Sequence, residues 1–308
     1  MFAALQAGKS LLAAGGLAAT AFLPLCSPPG GGNPPPPAPL TCGVDAPRLE
    51  AYGLTADGEL VCVDAKQPDR ERSFGMIEGL EGEALVGIDV RAPFVDAMGV
   101  SNGVPAAGTI YGLGAAGGVY SIDVSDGSAV ATKRTQLNQA LSGSSFGVDF
   151  NPTVDRLRIV SDTGQNLRAN VDTGETIVDG ALNTLGTPTS GIVAAGYTNN
   201  DTDPATGTTL YVLDAATDQL TLQSPPNAGG LSPVGALGVD ASSNAGFDIY
   251  SEVSRSGQTT TTQDLTAWAT LEVGGVVGLY DLTPFSGRAR LAGTFDVPVL
   301  DLAFPLEQ

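Results

Sequence analysis

Short apolar runs, each built around a Gly-x-Asp sequence or its equivalent, recur along the chain from Leu49 onward. They lie at residues 87–90, 147–150, 196–198, 246–249 and 299–302, a spacing near fifty residues. Second runs follow at 110–113, 157–160, 210–213 and 268–271, and third runs are clearest at 119–123 and 279–282. Their length and the turn residues between them predict β-strands, and Asp57-Gly58 is typical of a tight hairpin turn.

This repeat has the size of a propeller blade, because a four-stranded twisted sheet buries both faces only against radially arranged neighbours. The segment 49–77 has three strand candidates and lacks a Gly-x-Asp strand, whereas residues 299–304 form such a strand with no partner strands after it. We therefore predict an all-β fold, a β-propeller of five four-stranded blades closed by the C-terminal strand joining the first blade. An irregular six-bladed ring or an open sandwich is the alternative, because residues 93–108 are an insertion and the fourth repeat is degenerate.

The N-terminal segment predicts export. Residues 1–9 carry one basic side chain and residues 10–25 are uncharged and mostly apolar, as in a secretory signal. Cleavage after Ala21 is one outcome, and lipidation at Cys26 is the other, because residues 23–26 resemble a bacterial lipobox with an unusually large Leu25. The predicted organisation is a signal or lipoprotein signal at 1–26, a Pro/Gly-rich linker at 27–48 and the propeller at 49–308. The protein would be periplasmic, on the cell surface or extracellular, with a lipid anchor as its only membrane attachment.

Two cysteines remain after such a signal is removed. Cys42 and Cys62 are separated by a short loop, and the chain has no Cys-x-x-Cys sequence. In an oxidising compartment this pair predicts one structural disulfide that joins the first ordered segment to its first hairpin.

Composition excludes several functions. A formal charge of -19 repels nucleic-acid phosphates, whereas duplex binding requires clustered Lys and Arg. The absence of histidine excludes Ser-His-Asp and Cys-His catalysis and every histidine-containing metal site. Any catalysis must therefore use carboxylates, hydroxyls or a bound ion.

The aspartates of the repeated runs are the first candidate site. Asp89, Asp149, Asp248 and Asp301 would lie at equivalent positions near the axis of a closed ring. Converging carboxylates repel each other and need a cation, a raised pKa or backbone donors. One interpretation is an axial metal site, with Ca²⁺ as the candidate ion, or a polar substrate site. The other is that each carboxylate accepts backbone hydrogen bonds and holds the blades together, which requires no cofactor.

Two further groups carry polar chemistry. The segment around residues 155–170 is the only dense mixed-charge stretch and could hold a carboxylate or a sugar, although pairing among its own charges is the alternative. Its candidate binding residues are Asp155, Arg156, Arg158, Asp162, Gln165, Asn166 and Arg168. Asn199 and Asn200 begin an Asx-rich loop that loosely resembles a calcium loop but lacks its regular spacing and distal Glu, so an ordinary turn is favoured.

Residues 145–168, which include Gly147-Val148-Asp149-Phe150-Asn151-Pro152, closely resemble the hallmark of the bacterial domain-of-unknown-function 4394 family. Residues 52–55, 197–200 and 225–229 also fit this pattern, and Asn227 in the last of them joins the candidate binding residues. The resemblance covers nearly all of the chain after Leu49. It implies an exported, propeller-like repeat protein with no established activity, and the chain departs from the pattern between Arg91 and Thr109.

These observations lead to two functional hypotheses. The first is an exported, non-catalytic binding or cell-surface module whose partner is a small molecule, a glycan or a protein. The alternative is a carboxylate- or metal-dependent hydrolase, similar to a lactonase or glycosidase, that uses the axial aspartates. Backbone amides bonded to those carboxylates would favour the first hypothesis, and free carboxylates around an open pocket would favour the second.

Overall fold

The computed structural model describes residues 39–43, 46, 48–199, 207–256 and 259–306, with the backbone alone described for most of residues 253–263. The predicted signal, most of the predicted linker, Cys26 and Asn200 lie outside the described residues. In the part of the chain that the structure describes, no helix is long and apolar enough to cross a membrane.

The first three blades follow one another along the chain. Blade 1 contains β1 (Glu50–Thr55), β2 (Glu59–Asp64) and β3 (Gln67–Met76). Blade 2 contains β4 (Leu85–Arg91), β5 (Thr109–Gly114), β6 (Gly118–Asp123) and β7 (Val130–Gln136). Blade 3 contains β8 (Phe146–Asn151), β9 (Arg156–Ser161), β10 (Asn166–Ala169) and β11 (Thr176–Val178).

The remaining strands complete the ring. Two short strands, β12 (Asn183–Thr184) and β13 (Thr187–Pro188), precede blade 4, which contains β14 (Ile192–Tyr197), β15 (Leu210–Asp214), β16 (Gln219–Gln223) and β17 (Gly230–Ala236). Blade 5 contains β18 (Ala241–Ser256), β19 (Thr259–Val273), β20 (Val276–Leu282) and β21 (Ala289–Thr294), and β22 (Val299–Ala303) follows. The strands β12 and β13 extend the sheet of blade 4 beyond β17.

Ring closure occurs in blade 1. The strand β22 pairs antiparallel with β1, with Gly53 opposite Leu302, and becomes the innermost strand of that blade. This pairing gives blade 1 its fourth strand and covers the edge of β1 that would otherwise expose unpaired backbone groups. The prediction of a five-bladed propeller is confirmed, and the alternatives of a six-bladed ring and an open sandwich are wrong.

The glycine of the repeated Gly-x-Asp sequence allows the inner strands to lie close together. A Cβ atom on Gly147 of β8 would lie 2.5 Å from backbone atoms of Ala194 and Ala195 in β14. A Cβ atom on Gly246 of β18 would lie 2.5 Å from the Cα of Asp301 in β22. Only glycine permits these approaches without moving a backbone, so the strands that carry the aspartates are in direct contact.

Apolar side chains fill the space between neighbouring blades. Tyr111 of blade 2 meets Phe150 of blade 3 edge to face, with ring centroids 5.4 Å apart. Tyr250 of blade 5 meets Phe304, which directly follows β22, with centroids 6.0 Å apart. Because each blade packs through both faces, side chains from distant parts of the sequence meet between blades.

Candidate functional site

The axial aspartates connect neighbouring inner strands at every blade except blade 4. Asp89 of β4 accepts a hydrogen bond from the amide of Val90 at 2.7 Å and a second, across the blade boundary, from the amide of Phe150 at 2.6 Å. The backbone amide of Tyr197 in β14 acts on Asp149 of β8 across the next blade boundary and lowers the pKa of that carboxyl, against the larger effect of burial. One carboxylate therefore bonds to two blades.

The same arrangement closes the ring. Asp248 of β18 accepts hydrogen bonds from the amide of Ile249 at 2.6 Å and from the amide of Phe304 at 2.7 Å. Asp301 of β22 accepts them from Leu302 at 3.0 Å and from Ile88 of β4 at 2.9 Å.

Blade 4 has Thr198 in place of the aspartate. Its hydroxyl oxygen accepts a hydrogen bond from the amide of Thr209. The connection from blade 4 to blade 5 is made instead by the amide of Asn199, which donates to the hydroxyl of Ser251 at 2.8 Å.

The axial carboxylates are buried and close to each other. Asp89, Asp149 and Asp248 each place one carboxylate oxygen within 4.8 Å of the others. Burial raises the pKa of Asp89 and Asp149 well above the ordinary value, and the negative charge of neighbouring aspartates raises both further. Burial also raises the pKa of Asp248 to about 6 and that of Asp301 to about 8, although backbone hydrogen bonds oppose both shifts.

This cluster has the oxygen chemistry that Ca²⁺ prefers, and Asp89, Asp149 and Asp248 are the residues that could hold it. Both oxygens of Asp89 and of Asp248 already accept backbone hydrogen bonds, so a cation would have to share them. Asp301 also lines a small cavity of about 160 Å³ at the axis, beside Ser145. Asp89, Asp248 and Asp301 each accept backbone hydrogen bonds on both oxygens, so the arrangement suits blade attachment better than acid-base catalysis.

The mixed-charge segment forms a buried network between blades 3 and 4. Arg158 is 1% exposed and donates to Asn166 and Asp179 at 2.7 Å and to Asn227 at 2.9 Å. Arg168 donates to Asp179 as well, at 2.6 Å. Burial raises the pKa of Asp179, but the hydrogen bonds from both arginines outweigh burial and leave that pKa below its ordinary value.

A second buried arginine joins blades 2 and 3. Arg91 is 2% exposed and donates to Asp155 at 2.6 and 2.7 Å, to Asp172 at 2.7 and 2.9 Å, and to the Tyr111 hydroxyl at 3.2 Å. Its hydrogen bonds lower the pKa of Asp172. The sequence analysis missed Arg91, Asp172 and Asp179, although an arginine directly after the apolar run of β4 was a usable signal.

The other candidate binding residues have internal partners. Arg156 donates to the carbonyl oxygens of Val154 and Asp155. Asp162 accepts from the hydroxyl of Ser144, Gln165 donates to the carbonyl of Ala140, and Asn199 bonds to Gly207 and Thr262. The structure therefore distributes the sequence candidates over turns and blade contacts and does not bring them into one pocket.

The disulfide lies beside blade 1. Cys42 and Cys62 are joined, and both are buried. The amide of Cys42 also donates to the carboxylate of Glu50 at 2.7 Å, so the segment that precedes β1 is held against β1 and β2 by covalent and polar contacts.

A pocket of about 380 Å³ lies between blade 5 and blade 1. Blade 5 contributes neighbouring residues of β18 and β19, with Tyr250 opposite Thr266 and Glu252 opposite Asp264. The complete lining is Ala46, Arg48, Leu49, Lys66, Tyr250, Glu252, Asp264, Thr266 and Trp268. We call this space the blade 5–1 pocket.

Two buried polar atoms of these lining residues have no partner within the described part of the chain. They are the indole Nε1 of Trp268 and the hydroxyl oxygen of Thr266. Trp268 is 6% exposed. Such groups are rare in folded proteins and cost about 1–3 kcal/mol each when no partner is available. Trp268 is the single tryptophan of the chain, and the sequence analysis treated it as part of a strand.

Comparison with solved structures shows distant likenesses. A protein of unknown function from Bacteroides thetaiotaomicron has a TM-score of 0.41 and 17% identity, over 86% of this chain and 64% of that one. An auxiliary nutrient binding protein from Bacteroides ovatus has a TM-score of 0.33 and 15% identity, over 60% and 46% of the respective chains. Glutaminyl cyclase from Myxococcus xanthus has a TM-score of 0.37 and 12% identity, over 76% and 88%. The chain thus spans less than two thirds of the length of both Bacteroides proteins.

Sequence comparison identifies the family. No protein with a curated function matches the chain. The profile of the family described as a domain of unknown function, DUF4394, matches residues 59–303. This match begins in β2, ends with β22 and includes all five blades, so the chain belongs to the DUF4394 family.

Proposed function

We propose that this protein is an exported binding module that takes up a small polar ligand in the blade 5–1 pocket. The observation that carries the proposal is a pocket in which Tyr250 and Trp268 lie beside Lys66, Glu252 and Asp264. A small polar ligand there would pack against the aromatic rings and pair with the charged groups.

The form of the pocket supports this function. Its volume of about 380 Å³ lies within the range of about 300–1,000 Å³ that small-molecule sites occupy. Tyr250 and Trp268 supply aromatic surface, and charged groups stand beside them. Most of the lining belongs to β18 and β19, and regular strands hold a site more rigidly than loops do.

The axial aspartates support a binding function over hydrolysis, since their backbone hydrogen bonds use the oxygens that a hydrolase would need. Export rests on the N-terminal segment and on the Cys42–Cys62 disulfide, which suits an oxidising compartment. Lipidation at Cys26 would attach the propeller to a membrane surface.

The fluorescence of Trp268 provides a direct test. A panel of saccharides, amino acids, short peptides and organic acids is titrated against the purified protein, and binding is measured as a change in Trp268 emission. Thr266→Val removes the unpartnered hydroxyl with little change in volume and is expected to weaken the ligand that is found. Thr176→Val, in blade 3, is the matched control and should bind as the wild type does. A panel in which no compound changes the emission or the melting temperature contradicts the proposal.

A further inference from the structure

The charged groups of the blade 5–1 pocket are separated by sign. Blade 1 supplies only cations, Arg48 two residues before β1 and Lys66 in the turn between β2 and β3. Blade 5 supplies only anions, Glu252 of β18 opposite Asp264 of β19. Two cations in one pocket are notable in a chain with 14 Lys and Arg against 33 Asp and Glu. The two walls of the pocket therefore have opposite charge.

Three of these charges are available to a ligand. Arg48 forms ion pairs with Asp64 at 3.4 Å and with Glu50 at 3.7 Å, so its charge is largely compensated within blade 1. Lys66, Glu252 and Asp264 form no ion pair with any other residue in the described part of the chain. Lys66 makes no ion pair with Glu252 or Asp264 across the pocket, and a ligand with both signs of charge would complement both walls.

The dimensions select the length of such a ligand. A sphere of 380 Å³ is about 9 Å across, and two extended residues span about 7 Å. An extended dipeptide therefore fits within the pocket, with its ammonium and carboxylate groups at opposite ends. A neutral sugar would leave both charged walls without partners, and a ligand with a single charge would satisfy one wall.

We infer that the blade 5–1 pocket binds a short zwitterionic peptide, with its ammonium group at Glu252 and Asp264 and its carboxylate at Lys66. This inference rests on the proposed function and names the ligand class for the same pocket. An apolar side chain of the peptide would lie against Tyr250 and Trp268. Recognition by both termini excludes long chains, because their ends lie too far apart.

The test uses alanyl-leucine as the probe and Trp268 emission as the signal. The comparison compounds are N-acetyl-alanyl-leucine, which lacks the ammonium group, alanyl-leucine amide, which lacks the carboxylate, and maltose, which is neutral. We expect each capped peptide to bind at least tenfold more weakly than alanyl-leucine. The affinity for alanyl-leucine should also fall as salt concentration rises, since both contacts are ionic.

Matched variants assign each terminus to its wall. Glu252→Gln with Asp264→Asn should weaken alanyl-leucine at least tenfold and leave the N-acetyl peptide unchanged. Lys66→Gln should weaken alanyl-leucine and leave the amide unchanged. Lys133→Gln, a charge removal on blade 2 outside the pocket, is the control and should have no effect.

The outcomes separate this inference from the proposed function. Binding of maltose or another neutral compound, unaffected by the charge variants, overturns the peptide inference and leaves a small-ligand module in place. Equal affinity for capped and uncapped peptides also overturns it. Absence of a response to every compound overturns both.

Discussion

Replacing Asp248 with Asn tests whether the fold buries the axial carboxylates with no cation to neutralise them. Asp248 is 4% exposed, and its two oxygens accept amide hydrogen bonds from Ile249 and Phe304. Burial raises its pKa from the ordinary 3.8 to about 6. The folded protein therefore retains a proton at Asp248 over a pH interval in which the unfolded chain has already lost it.

The sign and size of the effect follow from linkage. The stabilising contribution of Asp248 is complete below pH 3.8 and is lost as the pH rises through about 6. A shift of about two pH units, at about 1.4 kcal/mol per unit, corresponds to a free energy on the order of 3 kcal/mol. The Asn variant does not ionise, but its amide nitrogen cannot accept one of the two hydrogen bonds, at a cost of about 1–3 kcal/mol. We expect Asp248→Asn to be less stable than the wild type at pH 4, and the difference to shift in favour of the variant by about 2 kcal/mol between pH 4 and pH 7.

The assay is urea unfolding followed by far-ultraviolet circular dichroism, at several pH values from 4 to 8, with the wild type and variant compared at each. Asp57→Asn, at the exposed turn between β1 and β2, changes the net charge by the same amount without contact with the axis. Its difference from the wild type should stay constant over this range. Parallel stability curves for Asp248→Asn and the wild type, or a difference that moves in favour of the wild type as pH rises, would refute the reasoning.

Three other outcomes are expected. Thr266→Val should leave the free energy of unfolding unchanged or raise it by up to about 1 kcal/mol, because it removes an unpartnered hydroxyl. Thr176→Val should lower the free energy of unfolding by about 1 kcal/mol, because the Thr176 hydroxyl donates to a backbone carbonyl. Equal losses for the two variants in urea titrations would contradict the account of the blade 5–1 pocket. Arg158→Met should lower the free energy of unfolding by about 3–5 kcal/mol, because it leaves a buried carboxylate and two side-chain amides without a hydrogen-bond partner. Arg290→Met changes an arginine that is 82% exposed and should lower it by less than about 1 kcal/mol. Similar urea midpoints for the two variants would show that the buried network contributes little to stability. Dialysis against EDTA should leave the melting temperature unchanged, because backbone amides already bond to the axial carboxylates. A lower melting temperature, with stoichiometric metal loss measured by elemental analysis, would instead place a cation among these carboxylates.

The repeat was readable from the sequence because it is local. Each blade is a series of short antiparallel strands joined by tight turns, so the apolar runs and the Gly-x-Asp sequence mark it without knowledge of its neighbours. Gly147 shows why this signal is strong, since its position against the β14 backbone admits no side chain. The missing strand of blade 1 and the extra strand at 299–303 then indicated where the ring closes.

The sequence alone left open the meaning of the polar residues. Arg158 and Asp155 had the appearance of a binding patch, yet their partners Asp179 and Arg91 come from other elements and make both residues structural. The carboxylate of Asp248 could have faced a metal or an amide, and only the position of β22 shows that Phe304 supplies an amide.

By itself, the sequence determined the repeat, the location of closure and the family, because all three depend on patterns within or between adjacent strands. The tertiary structure alone decided which polar groups have partners and where a pocket lies. Arg48 and Lys66 meet Glu252 and Asp264 only because the ring brings its last blade against its first. Contacts between residues about two hundred positions apart carry no periodic signal, and so the blade 5–1 pocket could be found only after the ring was closed.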